Sequence, residues 1–125
     1  MGQRAVIYIE GAAAAVYVHW VGDKALGFLG AALPRMRPGD PEYATARLIG
    51  HLHEHLSGGL GLGVLPPPTA KDKAGRYAEY SRGNSGVIVV DGKLTEARCY
   101  AGEEAARFSD AIDLKPYKAG SAVSA

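Results

Sequence analysis

Four β-branched residues in a row, Val87 to Val90, place apolar side chains on both faces of any strand that they form. Such a strand is favoured inside a sheet, with a neighbour on each side. Asp91-Gly92 follows directly, and this dipeptide favours the type I′ turn that matches the twist of paired strands. We therefore predict a hairpin whose second strand, residues 93–100, carries several charged side chains and forms an edge of the sheet.

Four further segments are predicted to be strands from their β-branched and aromatic residues and the turn signals around them: residues 4–10, 15–21, 60–65 and 77–81. The first two form a hairpin, because Gly11 and small alanines separate them. In the second of them Val16, Val18 and Trp20 share one face, since side chains alternate along a strand. We expect that face to lie on the core.

The main helix is predicted over residues 40–57. Asp40 is a favourable N-cap and Pro41 suits the first helical position. Apolar residues then recur at helical spacing until a serine and two glycines end the pattern. A shorter helix that ends at Pro34 comes before it, and the acidic stretch after Gly102 favours another short helix.

Together these elements predict an α+β fold. We expect a mostly antiparallel sheet of five or six strands, with the main helix and one or two short helices packed on it. A chain of 125 residues has the usual size of one domain. We place that domain at residues 1–114. From Lys115 onward the residues are small and polar, so we predict a flexible C-terminal tail over residues 115–125.

The composition argues against several classes of protein. Cys99 is the only cysteine, which excludes an intrachain disulfide and favours a cytoplasmic protein. No apolar run approaches the ~18 residues of a membrane span, so we expect no membrane partner. A net charge of +1 lacks the positive excess of most nucleic-acid binders. The glycine run at residues 58–63 follows a helix instead of opening one, so we expect no bound cofactor.

Three histidines alternate near the end of the main helix. His51 and His55 lie one turn apart on the same side, and this spacing suits metal ligation. The order His-Leu-His-Glu-His, however, lacks the glutamate that follows the first histidine in the zinc-protease motif. Both also flank the apolar stripe, as residues at the boundary of an amphipathic helix do. We predict no metal site and keep this pair as the candidate ligands.

Two loop regions carry side chains that are typical of protein interfaces. The first is the end of the strand predicted at residues 15–21 together with the turn beside it, where loops often present functional residues. The second lies around the strand predicted at residues 77–81 and combines tyrosine with arginine, which are enriched at binding hot spots. The candidate partner-binding residues are His19, Trp20, Asp23, Tyr77, Tyr80, Arg82 and Asn84. The alternative is ordinary packing, with Trp20 in the core and His19 hydrogen-bonded.

Several short motifs resemble those of uncharacterised small proteins encoded by phages and mobile elements. The motifs lie within about residues 16–90 and are Tyr17-Val18-His19-Trp20-Val21-Gly22, Ala46-Arg47-Leu48-Ile49, Leu62-Gly63-Val64 and Gly83-Asn84-Ser85-Gly86-Val87. The similar proteins often have Asp or Asn where this chain has Val21. The resemblance implies an accessory protein that acts on a bacterial host or a rival element, as anti-CRISPR inhibitors do.

The leading functional prediction is therefore a module that binds a bacterial host or defence-system protein and so inhibits it. No catalytic constellation is identifiable, which favours binding over catalysis. One alternative is a small hydrolytic or metal-dependent enzyme that uses the histidine-rich helix. Another is a nucleic-acid-binding module that uses the basic and aromatic segment at residues 71–82.

Overall fold

The structure is a computed structural model that describes residues 4–19, 25–55, 61–66, 86–100 and 111–122. Its strands are β1 (Ala5–Ile9), β2 (Ala15–Val18), β3 (Leu62–Leu65), β4 (Val87–Val90), β5 (Glu96–Tyr100) and β6 (Ile112–Asp113). The helices are α1 (Ala25–Ala32) and α2 (Pro41–His55), and two short 3-10 turns cover Leu33–Arg35 and Lys115–Tyr117. The strand predicted at residues 77–81 and the helix predicted after Gly102 lie outside the described residues.

The strands form a single six-stranded sheet in the order β3-β2-β1-β4-β5-β6. All neighbouring pairs are antiparallel except β1 and β4, which are parallel and pair Ile7 with Ile88. The prediction of an α+β fold with a mostly antiparallel sheet is confirmed, and the sheet is mixed. The prediction that Val87–Val90 is a central strand is also confirmed, because β1 and β5 lie on its two sides.

The hairpin of β4 and β5 is present, but its predicted edge position is wrong. The short strand β6 covers the outer side of β5, and Ala97 pairs there with Ile112. The charged side chains of Glu96 and Arg98 are exposed to solvent, whereas Ala97 between them is buried. The charges of β5 therefore lie on a solvent-exposed face of the strand and do not indicate an edge strand.

The turn of this hairpin also differs from the predicted type I′. The Asp91 N–H donates to the Glu96 carbonyl at 3.1 Å, which leaves a four-residue loop between the closing residues. The positive φ in this loop falls on Leu94, at 59°, and not on Gly92. Leu94 adopts this conformation with its side chain only 1% exposed. The buried Leu94 side chain and the Asp91 carboxylate, which accepts hydrogen bonds from the Thr95 and Glu96 N–H groups, both stabilise this longer loop.

One face of the sheet packs against both helices. Along β2, Val16 and Val18 lie in this core, which confirms the predicted core face as far as the described residues reach. The largest buried side chains of the layer are Ile7, Ile9, Leu29, Leu33, Met36, Leu48, Leu52, Leu94 and Leu114. Each buried side chain of this size contributes roughly 1.5 to 3 kcal/mol relative to an exposed one. Residues of the opposite face, Val6 and Val87 among them, are buried as well.

Helix α2 begins as its sequence predicts. The Tyr43 N–H donates to Asp40 Oδ1 at 3.2 Å, so Asp40 is the N-cap. The Thr45 hydroxyl donates to the Pro41 carbonyl at 2.7 Å. Glu42 Oε2 accepts a hydrogen bond from the Ala13 N–H at 2.9 Å, which links the start of α2 to the β1–β2 connection. The first turn of α2 is therefore anchored to the sheet.

The segment predicted to be a C-terminal tail is described as far as Ala122, and it packs on the domain. Gly120 N–H donates to the Leu33 carbonyl at 3.1 Å, and Ala122 N–H donates to the Pro34 carbonyl at 2.8 Å. The ring of Tyr117 lies on α1 at Gly30. Within the described residues, no helix has the length and apolar character needed to cross a bilayer.

Candidate functional site

Of the seven predicted partner-binding residues, His19 is the one that the structure describes. It follows β2, its side chain is half-buried, and its ring centroid lies 6.1 Å from that of Tyr17. The His19 N–H donates to the Gly61 carbonyl at 2.7 Å, so the residue extends the ladder between β2 and β3. The other six residues (Trp20, Asp23, Tyr77, Tyr80, Arg82 and Asn84) lie outside the described residues, and their role stays a prediction.

The outer edge of β3 is the first candidate surface, and it is absent from the residues predicted to bind a partner. β3 pairs with β2 alone and is the terminal strand of the described sheet. Antiparallel partners alternate between pairs that exchange hydrogen bonds and pairs that do not. The hydrogen bond from His19 to Gly61 makes theirs a bonded pair, and Tyr17 with Gly63 is then the next bonded pair. Leu62 lies between the two bonded pairs, and Val64 follows the second of them. Both are therefore at non-bonded positions, and their N–H and C=O groups point away from β2.

The side chains of this edge are apolar. Val64 is 60% exposed, although it lies on the same face of the sheet as the core residue Val16, with which it pairs. Leu62, on the same face, is half-buried and packs against the core. Every second residue of this edge points its main-chain groups outward, and Pro66 follows Val64 in that alternation. Because proline has no N–H, Val64 carries the last outward N–H donor of the edge. We call the outward main-chain groups of Leu62 and Val64, together with the Val64 side chain, the β3 edge.

A shallow cleft between α1 and α2 is the second candidate. It has a volume of about 350 Å³ and is lined by Gly27, Phe28, Ala31, His51 and His55. The rings of His51 and His55 are stacked, with centroids 4.2 Å apart and planes inclined by 27°. The Phe28 ring centroid lies 6.4 Å from each imidazole. The structure thus brings the two predicted candidate ligands together, whereas His53 is exposed and lines no part of this cleft.

The hydrogen bonds of this cleft define the state of its imidazoles. His55 Nδ1 lies 2.8 Å from the His51 carbonyl, and because a carbonyl only accepts, Nδ1 carries the proton. The Nε2 atom of His51 is buried and has no hydrogen-bond partner in the described part of the chain. Burial lowers the pKa of His51, and the electrostatic influence of His55 and Arg35 lowers it further, while Glu54 opposes them. His51 is therefore neutral at pH 7.

The residues that the structure describes contain no group of three or more His, Cys, Asp or Glu side chains placed to hold a metal ion. Among the described residues that line the cleft, His51 and His55 are the ones with metal-ligating side chains. Cys99, on β5, is half-buried. A hydrolytic site of the zinc-protease type needs two histidines and a glutamate around metal-bound water, and this arrangement is not formed by the described residues of α2.

A third surface feature combines arginine with tyrosine near the start of α2. The guanidinium carbons of Arg37 and Arg47 lie 4.3 Å and 4.8 Å from the centroid of the Tyr43 ring. Such cation–π contacts contribute roughly 0.5 to 1 kcal/mol at exposed sites. A guanidinium nitrogen of Arg37 also forms an ion pair with Asp40 Oδ2 at 4.0 Å. These contacts stabilise the first turns of the helix. The basic segment predicted to bind nucleic acid, residues 71–82, lies outside the described residues.

Comparisons with protein-family models, with curated proteins and with solved structures find no match to this chain. The resemblance to small phage and mobile-element proteins therefore stays a prediction. The β3 edge and the histidine cleft are the described surface features that bear on function.

Proposed function

We propose that this protein is a protein-binding module whose β3 edge takes an extended segment of a partner as an additional strand. In this mode of recognition main-chain hydrogen bonds supply affinity, and side chains on alternate positions supply specificity. The outward N–H and C=O groups of Leu62 and Val64 are the observation that carries the proposal. A partner strand bonded to them would cover the exposed Val64 side chain.

The chemistry of the edge favours a short apolar segment as its occupant. In the described part of the edge, two outward donors precede Pro66, which ends the series, so a partner would be bound over a few residues. The net hydrogen-bond contribution is about 0.5 to 1.5 kcal/mol for each bond formed. Apolar contact with Val64 and Leu62 adds to this. The expected occupant is therefore a β-branched or aromatic segment at the surface of another protein.

The resemblance described above favours a bacterial host protein or a component of a bacterial defence complex as that partner. An added strand can inhibit such a complex by occupying a segment that the complex itself uses. This part of the proposal depends on the resemblance, whereas strand addition depends on the β3 edge. The two parts are tested separately.

The first experiment selects peptides from a displayed random library on the immobilised protein. Selected peptides are expected to contain alternating apolar residues. On binding, amide hydrogen exchange is expected to slow at Leu62 and Val64, because both N–H groups gain an acceptor. A set of peptides that bind while these two amides remain unprotected would contradict strand addition. Dimers formed through the same edge in size-exclusion chromatography would also contradict it.

The matched variants are Val64→Pro and Val64→Thr. Proline removes the outward N–H and is tolerated where that N–H does not bond a neighbouring strand. Threonine keeps both the N–H and the β-branched shape. Peptide affinity is expected to fall about tenfold in V64P, which loses one hydrogen bond, and to change less in V64T. Circular dichroism and thermal melting establish that both variants fold, and equal binding by wild type and V64P would refute the proposal.

The partner's identity is tested by affinity purification from bacterial lysates with the same three proteins. The expected result is a stoichiometric host or defence protein that wild type and V64T retain and that V64P loses. A protein retained equally by all three binds elsewhere. That outcome would count against the β3 edge as the binding surface.

A further inference from the structure

The imidazoles of His51 and His55 form a pair that the proposed strand addition does not use. They lie one turn apart on the same side of α2, with ring centroids 4.2 Å apart. Two nitrogen ligands of one ion each lie about 2.0 to 2.1 Å from it. The lone pair of each Nε2 lies in the plane of its ring, so the stacked rings do not converge on one ion as they stand. Rotation of the side chains can turn both toward an ion, because histidines four residues apart lie on the same side of a helix, as in helical zinc sites.

The pair also has the lone pairs that a metal ion requires. His55 donates its Nδ1–H to the His51 carbonyl at 2.8 Å, which leaves Nε2 of His55 as the atom with a lone pair. A backbone carbonyl commonly fixes the tautomer of ligand histidines in this way. Nε2 of His51 is a polar atom that no described residue satisfies. A buried polar atom without a partner is unfavourable, and metal coordination would give it one.

We propose that His51 and His55 together bind one divalent transition-metal ion through their Nε2 atoms. Imidazole nitrogen is a preferred ligand of Zn²⁺, Ni²⁺ and Cu²⁺ and a poor ligand of Mg²⁺ and Ca²⁺. Two protein ligands leave the other coordination positions to water. The site therefore differs from a closed structural zinc site, which takes four protein ligands.

The surroundings give an ion access to the pair. His51 and His55 line the cleft of about 350 Å³ beside Phe28 and Ala31, and His55 is exposed. Because His51 Nε2 is out of contact with water, binding requires the ring to rotate about its Cβ–Cγ bond toward the cleft. The carboxylate of Glu54 is close enough to His51 to favour positive charge there, although Arg35, 3.9 Å from Glu54, partly offsets it.

The test is a calorimetric titration of Zn²⁺ and of Ni²⁺ into metal-free protein that carries no polyhistidine tag. Wild type is expected to bind one ion per chain. His55→Gln is expected to weaken binding on the order of 10²-fold, because chelation by two linked ligands becomes binding by one. His53→Gln is the matched control on the same helix and is expected to bind as wild type does. No heat of binding in wild type, or equal losses in H53Q and H55Q, would overturn the proposal.

A second measurement keeps the test independent of the variants. In NMR spectra of wild-type protein, Zn²⁺ is expected to shift the Nε2 resonances of His51 and His55 and to leave those of His53 unchanged. Shifts centred on His53 or His19 would overturn the assignment. Mg²⁺ at the same concentration is expected to have no effect, and a similar response to Mg²⁺ would indicate non-specific charge binding and also overturn the proposal.

Discussion

Gly30 in α1 lies against the ring of Tyr117, and a Cβ atom at Gly30 would come within 2.6 Å of Tyr117 Cε1. Gly30→Ala should therefore displace the ring, which can move because Tyr117 is 45% exposed. The amides of Gly120 and Ala122, which bond Leu33 and Pro34, should then exchange about fivefold to tenfold faster, as expected for the loss of roughly 1 kcal/mol of ring packing. Hydrogen exchange with mass spectrometry measures this effect.

The control for that substitution is Gly27→Ala in the same helix. A Cβ at Gly27 meets no atom within 4 Å. Alanine is favoured over glycine in a helix by up to about 1 kcal/mol, so G27A should raise the melting temperature and leave exchange at Gly120 unchanged. Unchanged exchange in G30A would mean that the Tyr117 contact does not hold the C-terminal segment.

At Leu94, substitution by glycine should destabilise the protein less than substitution by alanine. Its φ of 59° is unfavourable for any residue with a Cβ, while its side chain is 1% exposed. Leu94→Ala loses about 2 to 5 kcal/mol of packing and keeps the strain, whereas Leu94→Gly loses the packing and relieves about 1 to 2 kcal/mol of strain. L94G should therefore be more stable than L94A in urea unfolding. The reverse order would contradict the left-handed conformation.

Asp91 should make the stability of the β4–β5 hairpin dependent on pH. Partial burial acts to raise the pKa of Asp91, but hydrogen bonds from the Thr95 hydroxyl and from the Glu96 and Thr95 N–H groups, together with the charge of Lys93, outweigh it and lower the pKa overall. A carboxyl whose pKa is lower in the folded state stabilises the fold above its unfolded pKa of about 3.9. This contribution is lost as the pH falls through the folded pKa.

The corresponding variant is Asp91→Asn, which keeps one acceptor oxygen and loses the charge. At pH 7 the free energy of unfolding should fall by about 1 kcal/mol relative to wild type, because charge-assisted hydrogen bonds are replaced by neutral ones. Below the folded pKa of Asp91 the two proteins should unfold at the same urea concentration. A difference that is constant with pH would show that the carboxylate charge has no role in the turn.

The N-cap of α2 gives a prediction about the main helix. Asp40→Ala removes the acceptor for the Tyr43 N–H and should cost about 1 kcal/mol in chemical denaturation. Asp40→Ser keeps an N-cap oxygen but removes the carboxylate near Arg37. It should therefore recover most of the lost stability. Equal losses in D40A and D40S would assign the effect to the ion pair instead of the cap.

The features that were predicted correctly depend on short stretches of sequence. Asp40 and Pro41 mark a helix start by their own conformational preferences, and the Val87–Val90 run identifies a strand with two buried faces. The hairpin of β1 and β2 follows from alternation and a short connection. Each of these signals is independent of what the rest of the chain does.

The features that were missed depend on distant parts of the chain. The β3 edge becomes apparent only from the strand order, and the apolar pattern of β1 suits a parallel and an antiparallel neighbour equally. Strand β6 has two residues, too few to show alternation. The C-terminal segment is held by main-chain hydrogen bonds and by one ring over Gly30, and neither leaves an apolar periodicity. The pairing of His51 with His55 was predicted because helical spacing is local. The contact of Phe28 with both imidazoles was not predicted, because Phe28 lies on another helix.

The parallel pairing of β1 with β4 divides the sheet into two halves, each continuous in sequence. Residues 4–66 contain β3, β2 and β1 with both helices, and residues 86–122 contain β4, β5 and β6. A chain cut between Pro66 and Gly86 keeps each antiparallel pair of the described strands within one fragment. The two fragments, produced together, are expected to reassemble along the Val6–Val87 register, and the shorter one could then serve as a reporter for the longer one inside cells.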